Sequence, residues 1–380
     1  MIGFRVETRA GQARAGVLTT PHGDVPTPAF MPVATQASVK GLDAADLRGL
    51  GVRMAIMNTY HLWLRPGAEV VASLGGLHGF SRFDGAIVTD SGGFQAFSLA
   101  ERTVLGEEGV EFSSHLDGRR LLLSPEEAMR VQGLLGSDIA MQLDVCPPGG
   151  APRPEVEAAV ARTTRWAERC LAAAAPGQAV FGIVQGGLDV ELRLAHAEAL
   201  AKLPFAGLAL GGFSVGEPNE AMHRTLAEVA PRVDAARPRY LMGVGTPSDL
   251  VRAIGVGIDM FDCVMPTRNA RNGQAFTRTG RIAIRNARYK DDPRPLEADC
   301  RCPVCAGGYG RAYLRHLHLA HEMTAGRLVT LHNLAFYARV VAEARRAMGD
   351  GSFDSWSRST LSALESKGDV EADSEETFGG

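Results

Sequence analysis

Short apolar runs alternate with longer amphipathic segments along most of the chain. The runs, typical of buried strands, lie at 29–32, 53–58, 86–90, 139–144, 180–185, 208–211, 240–243 and 259–263. Helical patterns lie between them, at 43–50, 66–74, 125–135, 154–175, 190–203, 220–230 and 247–254. Strands that alternate with helices predict a parallel sheet, and eight strands suit a closed (β/α)8 barrel. The alternative is a doubly wound open sheet, but no G-x-G-x-x-G motif follows the first strand.

Three segments lie outside this alternation. Residues 101–123 fit no strand–helix unit and are predicted to be an insertion. Residues 285–325 contain a cysteine cluster and are predicted to form an appended or inserted subdomain, after which residues 332–348 again have a helical pattern. The acidic tail at 366–380 is predicted to be disordered.

Composition excludes several classes of protein. With 45% hydrophobic and 22% charged residues, the chain is close to the soluble globular average, which excludes a wholly disordered or collagen-like chain. No run approaches the roughly 18 apolar residues of a membrane helix, and the first twenty residues have no apolar segment typical of a secretory signal. We therefore expect no membrane partner.

Charge is balanced overall but unevenly distributed. The chain has 40 Lys+Arg and 43 Asp+Glu, so the net charge of −3 does not indicate a nucleic-acid partner. Between Asp262 and Asp291, however, there is no acidic residue, and the basic residues are Arg268, Arg271, Arg278, Arg281, Arg285, Arg288 and Lys290. This basic block predicts a site for a polyanion; the alternative is a solvated strand face.

Polar side chains end four of the predicted strands: Asp90, Asp144, Gln185 and Asp262. The carboxyl ends of parallel barrel strands converge on one face, so we expect these side chains to share one mouth. A single aspartate there can simply cap a helix. Two carboxylates facing one pocket suit displacement at a sugar carbon, in which one attacks and the other transfers protons. A divalent metal is the alternative, although no histidine ends these strands.

A second cluster indicates a metal site. Cys300, Cys302 and Cys305 form a C-x-C-x2-C pattern, and three thiolates with one imidazole complete a tetrahedral, structural zinc shell. Spacing alone leaves the fourth ligand open. The candidates are His316, His318, His321 and His332.

Five motifs resemble those of the bacterial tRNA-guanine transglycosylases, in order from about residue 4 to 348. They are DSGGFQ at 90–95, LDVC at 143–146, FGIVQGG at 181–187, YLMGVG at 240–245 and DMFDCVMPTR at 259–268. The resemblance implies an irregular (β/α)8 TIM barrel with an inserted zinc-binding subdomain. It also implies exchange of the guanine at the wobble position (34) of GUN-anticodon tRNAs for preQ1 through a covalent enzyme–RNA intermediate, in queuosine biosynthesis.

The resemblance implies a role for each matching residue. Asp262 is the expected nucleophile and Asp90 the general acid/base. The expected base-binding residues are Asp90, Ser91, Gly92, Gly93, Phe94, Asp144, Gln185, Gly212 and Met242. The expected RNA-binding residues are Gly243, Val244, Gly245, Thr246, Pro247, Ser248, Asp249, Thr267, Arg268, Asn269, Ala270 and Arg271. The expected ligands of one structural Zn2+ per subunit are Cys300, Cys302, Cys305 and His332.

The resemblance further implies the organisation and partners of the protein. We expect a single catalytic domain over 1–365, with its zinc-binding subdomain at about 285–345, and a cytoplasmic homodimer. The expected substrates are preQ1, guanine and the anticodon loops of aspartate, asparagine, histidine and tyrosine tRNAs. One departure is Phe94, where some bacterial relatives have tyrosine; stacking on a base does not require the hydroxyl.

Two rival functions remain at this point. A retaining glycosidase on the same barrel would use Asp90 and Asp262, but it leaves the cysteine cluster and the basic block unexplained. A non-catalytic zinc-containing RNA-binding protein leaves the four strand-end side chains unexplained.

Overall fold

The computed structural model of the chain describes residues 2–99 and 103–366. Its strands are β1 (Gly3–Ala10), β2 (Ala13–Thr20), β3 (Gly23–Thr27), β4 (Ala29–Ala34), β5 (Met54–Met57), β6 (Ala86–Thr89), β7 (Thr103–Leu105), β8 (Val110–Ser113), β9 (Arg120–Leu123), β10 (Ile139–Met141), β11 (Ala179–Val184), β12 (Gly207–Leu210), β13 (Arg239–Leu241), β14 (Met260–Cys263), β15 (Gln274–Thr277) and β16 (Gly280–Ala283). Its helices are α1 (Ala44–Gly49), α2 (Thr59–Leu64), α3 (Ala68–Ser73), α4 (Gly76–Ser81), α5 (Gly93–Leu99), α6 (Pro125–Leu135), α7 (Arg153–Ala173), α8 (Val190–Ala201), α9 (Asn219–Val229), α10 (Pro247–Gly255), α11 (Met265–Arg271), α12 (Pro303–Ala306), α13 (Arg311–Leu319), α14 (Met323–Gly349) and α15 (Phe353–Glu365).

Eight parallel strands form a closed barrel in the order β4, β5, β6, β10, β11, β12, β13 and β14. The barrel closes where β14 pairs with β4, in a register that places Met260 opposite Ala29 and Cys263 opposite Pro32. Its interior is filled by side chains such as Met31, Phe181 and Met260, all fully buried. The predicted (β/α)8 barrel is therefore confirmed, and each of the predicted strands overlaps a barrel strand.

Local sequence signals explain where the surrounding helices begin and end. Helix α6 occupies the predicted range, because the Ser124 side chain accepts a hydrogen bond from the Glu127 amide at its start. Gly136 ends the helix in a left-handed conformation, with φ of 70°. Among the described residues, no helix is both long and apolar enough to cross a membrane.

An antiparallel sheet of β1, β2 and β3 covers the amino-terminal end of the barrel, and sequence analysis did not predict it. Leu18 and Val25 of this sheet belong to the same apolar cluster as the barrel interior. Arg14 donates to the Asp259 carboxylate through Nε at 2.9 Å, and both side chains are fully buried. Asp259 directly precedes β14, so this ion pair joins the sheet to the bottom of the barrel.

Strands β7, β8 and β9 form a separate antiparallel sheet between α5 and α6. The segment predicted as an insertion therefore does lie outside the barrel; its residues 101 and 102 fall outside the described residues. The sheet is held against α7, since Trp166 donates through Nε1 to the Glu107 carbonyl at 2.8 Å and Arg165 pairs with the Glu107 carboxylate.

The carboxyl-terminal part contains the β15–β16 hairpin and helices α12 to α15. The helix predicted at 332–348 is α14, which begins earlier, at Met323. Helix α15 was not predicted; it packs on α10 and buries Phe353. Except for Ser366, the predicted acidic tail lies outside the described residues.

Candidate active site and metal centre

A cavity of about 240 Å³ lies at the carboxyl ends of the barrel strands. The four predicted strand-end side chains all line it: Asp90, Asp144, Gln185 and Asp262. So do Ser91, Phe94, Gly212 and Met242 from the predicted base-binding set. Gly92 lies in the turn after Asp90, with φ of 79° and close to the backbone of Tyr60, and Gly93 is the first residue of α5. The structure thus brings the predicted site residues together.

Asp262 lies within β14, and two donors orient its carboxylate. The Tyr240 hydroxyl donates to Oδ1 at 2.6 Å, and the Gly243 amide donates to the same oxygen at 2.8 Å. Burial raises the pKa of Asp262, an effect that these hydrogen bonds oppose. The arrangement holds the carboxyl group in a low-dielectric cavity with one oxygen fixed by two donors, which suits a nucleophile.

Asp90 faces the same cavity in a different environment. The Thr59 amide donates to its Oδ1 at 2.8 Å, and the Asn58 side-chain amide donates to Oδ2 at 2.6 Å. The pKa of Asp90 is raised to about 7. Burial is the main cause, and the nearby charge of Asp262 adds to it. A carboxyl group that gains and loses a proton near neutral pH suits general acid/base catalysis.

Asp144 and Gln185 form a hydrogen-bonding wall of the cavity. The side-chain amide of Gln185 donates through Nε2 to Asp144 Oδ2 at 2.6 Å. Burial raises the pKa of Asp144 to about 6. Gln185 Oε1 is buried without a hydrogen-bond partner among the described residues. A Cβ atom at Gly212, which has φ of 66°, would lie 2.3 Å from that oxygen, so only glycine fits there. The wall presents acceptors to the donors of a bound heterocycle.

Sequence analysis missed several side chains that support this site. Asn58 ends the predicted strand at 53–58, so the signal that identified Asp90 was present for it too. Tyr240 lay within a quoted motif, but nothing in the sequence indicated its bond to Asp262. Glu217 accepts hydrogen bonds from the amides of Ser214 and Val215, and thereby shapes a loop that lines the cavity.

The first predicted RNA-binding segment, 243–249, comprises most of the loop after β13 and the first three residues of α10. Its last residue, Asp249, is buried and accepts hydrogen bonds from the Thr246 amide at 2.7 Å and from His223 at 2.9 Å. This carboxylate therefore holds the shape of the loop and does not face solvent.

The second segment, 267–271, lies in α11, which follows Asp262 closely. Arg268 and Arg271 are exposed there, whereas Thr267, Asn269 and Ala270 are buried. Further along the basic block, Arg278 pairs with Glu343 of α14. The basic block thus contains no acidic residue in its sequence, but in the folded chain an acidic residue of another segment lies beside it.

The four predicted metal ligands meet in one buried cluster. The sulfur atoms of Cys300, Cys302 and Cys305 lie 3.8, 3.6 and 3.4 Å from His332 Nδ1. These separations fit ligands about 2.0–2.3 Å from a common ion. His332 Nε2 donates to the Phe276 carbonyl at 2.8 Å, which leaves the Nδ1 lone pair for a metal. The structure therefore selects His332 among the four histidines that spacing left open.

Another group of potential ligands does not form a metal site. His22 and His78 both approach the Asp138 carboxylate, at 2.7 and 3.4 Å. Their rings are stacked, with centroids 3.4 Å apart and planes inclined by 12°. Because imidazole lone pairs lie in the ring plane, two rings stacked this closely cannot direct them at one ion. The group instead joins the β2–β3 turn to the bottom of the barrel.

Comparison with known proteins agrees with this geometry. The family profile described as Queuine tRNA-ribosyltransferase matches residues 9–366. A protein of that name from Sorangium cellulosum is 64% identical over 360 residues, covering 95% of this chain and 91% of the relative. Proteins of the same name from Aromatoleum aromaticum and Stenotrophomonas maltophilia are 52% and 50% identical, and this chain covers 96% and 94% of their lengths.

The raised pKa of Asp144 predicts a pH-dependent cost in stability. The ordinary pKa of an aspartate is 3.8, and that of Asp144 is about 6. Between these two pH values, Asp144 keeps its proton in the folded protein and releases it in the unfolded chain. As pH rises from 4 to 7, the free energy of unfolding should fall by roughly 2–3 kcal/mol more for the wild type than for Asp144→Asn. Urea unfolding at several pH values measures this. Asp84→Asn removes an exposed carboxylate as a control, and parallel curves for the wild type and Asp144→Asn would contradict the assignment.

Proposed function

Because the chain belongs to the queuine tRNA-ribosyltransferase family, whose members are pentosyltransferases, we propose that it exchanges guanine at wobble position 34 of GUN-anticodon tRNAs for preQ1. The observation that carries this proposal is the pair of carboxyl groups, Asp90 and Asp262, in one cavity with the Asp144–Gln185 wall. The first pair suits bond exchange at a sugar carbon, and the second suits recognition of a purine-like base.

The proposed reaction has two displacements. The Asp262 carboxylate attacks C1′ of the target nucleotide from the face opposite the base and forms an ester bond. The C1′–N9 bond breaks, its electron pair stays on guanine, and Asp90 supplies the proton that makes guanine neutral. PreQ1 then loses its N9 proton to Asp90, attacks C1′ and displaces Asp262. Two inversions retain the β-configuration.

The proposed base site uses hydrogen bonds on its edge and stacking on its faces. Asp144 and Gln185 supply the acceptors, and the backbone amide of Gly212 supplies a donor. Phe94 and Met242 line the cavity and would flank the ring. The target nucleotide must leave the RNA stack to reach them, which costs least in a loop such as the anticodon.

The remaining proposals concern the metal and the assembly. The Cys3His donor set is that of structural zinc, with no open position for water, so zinc would hold α12 against α14. Tyr309 and Tyr313, beside this cluster, are exposed and stacked with ring centroids 6.0 Å apart. They support the proposed homodimer. The proposed location is the cytoplasm, because the proposed substrate is tRNA.

The rival functions fit the observations less well. A retaining glycosidase would hydrolyse simple glycosides, but it has no use for the Cys3His cluster or for the Gln185 wall. A non-catalytic RNA-binding protein has no use for a buried carboxyl group whose pKa is about 7.

The exchange reaction tests the proposed function and the role of Asp262. Wild-type protein should incorporate labelled guanine or preQ1 into unmodified tRNA, whereas Asp262→Asn keeps the shape but not the attacking charge. Its rate should fall roughly 10⁴-fold or more. Asp90→Asn should also be slow, yet should still form the covalent RNA adduct. A denaturant-resistant adduct with Asp262→Asn would reassign the nucleophile.

Salt dependence tests the RNA contacts. If α11 and its neighbours neutralise three or four phosphates, the slope of log K against log salt should be about −2 to −3. Arg268→Ala and Arg271→Ala should each weaken binding to an anticodon stem-loop and reduce that slope by about 0.7. Arg278→Ala is the matched control, because Arg278 belongs to the same basic block but lies after β15, where it pairs with Glu343 of α14. Equal slopes for all proteins would refute the assignment.

Metal content tests the proposed zinc. Purified protein should contain one zinc per chain, and Cys302→Ala should lose it. The melting temperature should then fall by at least about 5 °C, since a structural metal contributes several kcal/mol to folding. Cys170→Ala removes an equally buried thiol outside the cluster and should leave metal content unchanged. Active, zinc-free protein would overturn this proposal.

A further inference from the structure

Helix α8 buries a guanidinium group beneath the base-recognition wall. The side chain of Arg193 is fully buried. Within the described residues, its hydrogen bonds go to backbone carbonyls: Nε to Gly187, Nη1 to Val184 at 3.4 Å and Nη2 to Gly212 at 3.2 Å. Burial lowers the pKa of Arg193 to about 9. Desolvating a cation whose hydrogen bonds go to neutral carbonyls is costly, so this group calls for a role in the site.

The three carbonyls lie at the end of β11 and in the loops after β11 and β12, which form the wall. Val184 directly precedes Gln185, and Gly187 follows it, so the guanidinium holds the backbone on both sides of that side chain. Gly212 lies in the next loop, after β12. A single planar fork therefore fixes the relative position of the two loops, which a point-like ammonium group cannot do.

Arg193 also acts on the orientation of one peptide group and one ring. The carbonyl and amide of a trans peptide point in opposite directions, so holding the Gly212 carbonyl toward α8 directs the Phe213 amide away from it. The Phe213 ring, which lines the cavity, lies with its centroid 3.7 Å from Arg193 Cζ. The cation thus supports this ring from beneath.

His196, one helical turn further along α8, holds Gln185 itself. The backbone amide of Gln185 donates to His196 Nδ1 at 2.9 Å, and the backbone carbonyl of Gln185 lies 3.3 Å from the same nitrogen. Accepting at Nδ1 requires a neutral ring with its hydrogen on Nε2, and Nε2 is buried without a partner among the described residues. Burial lowers the pKa of His196 to about 4, which keeps the ring neutral near pH 7.

We propose that Arg193 and His196 are positioning residues for base recognition, which orient Gln185 and the Gly212–Phe213 peptide toward a purine or 7-deazapurine. This inference rests on the proposed function, because it assigns these contacts to the entering base. Both side chains are buried, and none of their hydrogen bonds within the described residues goes to Asp90 or Asp262. Their loss should therefore weaken binding of the free base more than binding of tRNA, which has further contacts through its phosphates.

The test separates the KM for guanine from the KM for tRNA in the exchange assay. Arg193→Lys keeps the charge but loses the fork, and its KM for guanine should rise about tenfold or more, the change expected when well-placed hydrogen bonds are lost. Its KM for tRNA should rise less, because the phosphate contacts of the RNA are retained. Arg14→Lys is the matched control, since Arg14 is equally buried but lies at the other end of the barrel. It should lower stability without raising the KM for guanine.

A second pair of variants remains informative if Arg193→Lys does not fold. His196→Asn retains an acceptor near the position of Nδ1, whereas His196→Leu has none. Only the leucine variant should raise the KM for guanine, so rescue by asparagine distinguishes orientation of Gln185 from general packing.

The outcomes distinguish this inference from the proposed function. A wild type without exchange activity refutes the proposed function. Calorimetric binding of free guanine then compares the same variants without the reaction, and equal affinities would refute the inference. In an active wild type, variants that change both KM values equally, or neither, would overturn it.

Discussion

The site depends on one constraint: carboxyl groups must be kept in a cavity that raises their free energy when charged. Asp90, Asp144 and Asp262 all have raised pKa values, and burial is the main cause for each. The surrounding elements supply neutral donors that limit this cost. Asp90 accepts a hydrogen bond from the Thr59 backbone amide. Asp262 accepts hydrogen bonds from the Gly243 backbone amide and the Tyr240 hydroxyl. The loops after the strands therefore have little freedom to vary in shape.

The parts of this arrangement that sequence predicted are those with a local signal. Eight apolar runs identified the barrel, and a polar residue at a strand end identified Asp90 and Gln185. The fourth metal ligand had no such signal, because His332 lies 27 positions after Cys305 and only folding brings them together. Strand β1 was missed since its side chains are at most half-buried, which gives a weak hydrophobic pattern. Gly326 obscured the start of α14, because glycine disfavours helix interiors.

Buried charged groups have different kinds of partner at the two ends of the barrel. At the bottom, Arg14 and Asp259 pair directly, and the pair joins two parts of the chain. Such a pair leaves neither group able to react, which suits a structural role. At the mouth, the hydrogen bonds found to Asp90 and Asp262 come from amides and a hydroxyl. This difference agrees with the general division of barrel enzymes into a stable and a reactive face.

The absence of a cation from those hydrogen bonds agrees with the proposed reaction. A guanidinium beside Asp90 would lower the pKa of that carboxyl group and remove the proton that the proposed reaction gives to the leaving base. Beside Asp262, it would stabilise the carboxylate and reduce its tendency to attack. Positive charge near the mouth is instead placed behind backbone carbonyls, as with Arg193, or on the exposed surface of α11, as with Arg268. In both positions it can act on loops or on RNA while the reacting pair keeps its raised pKa values.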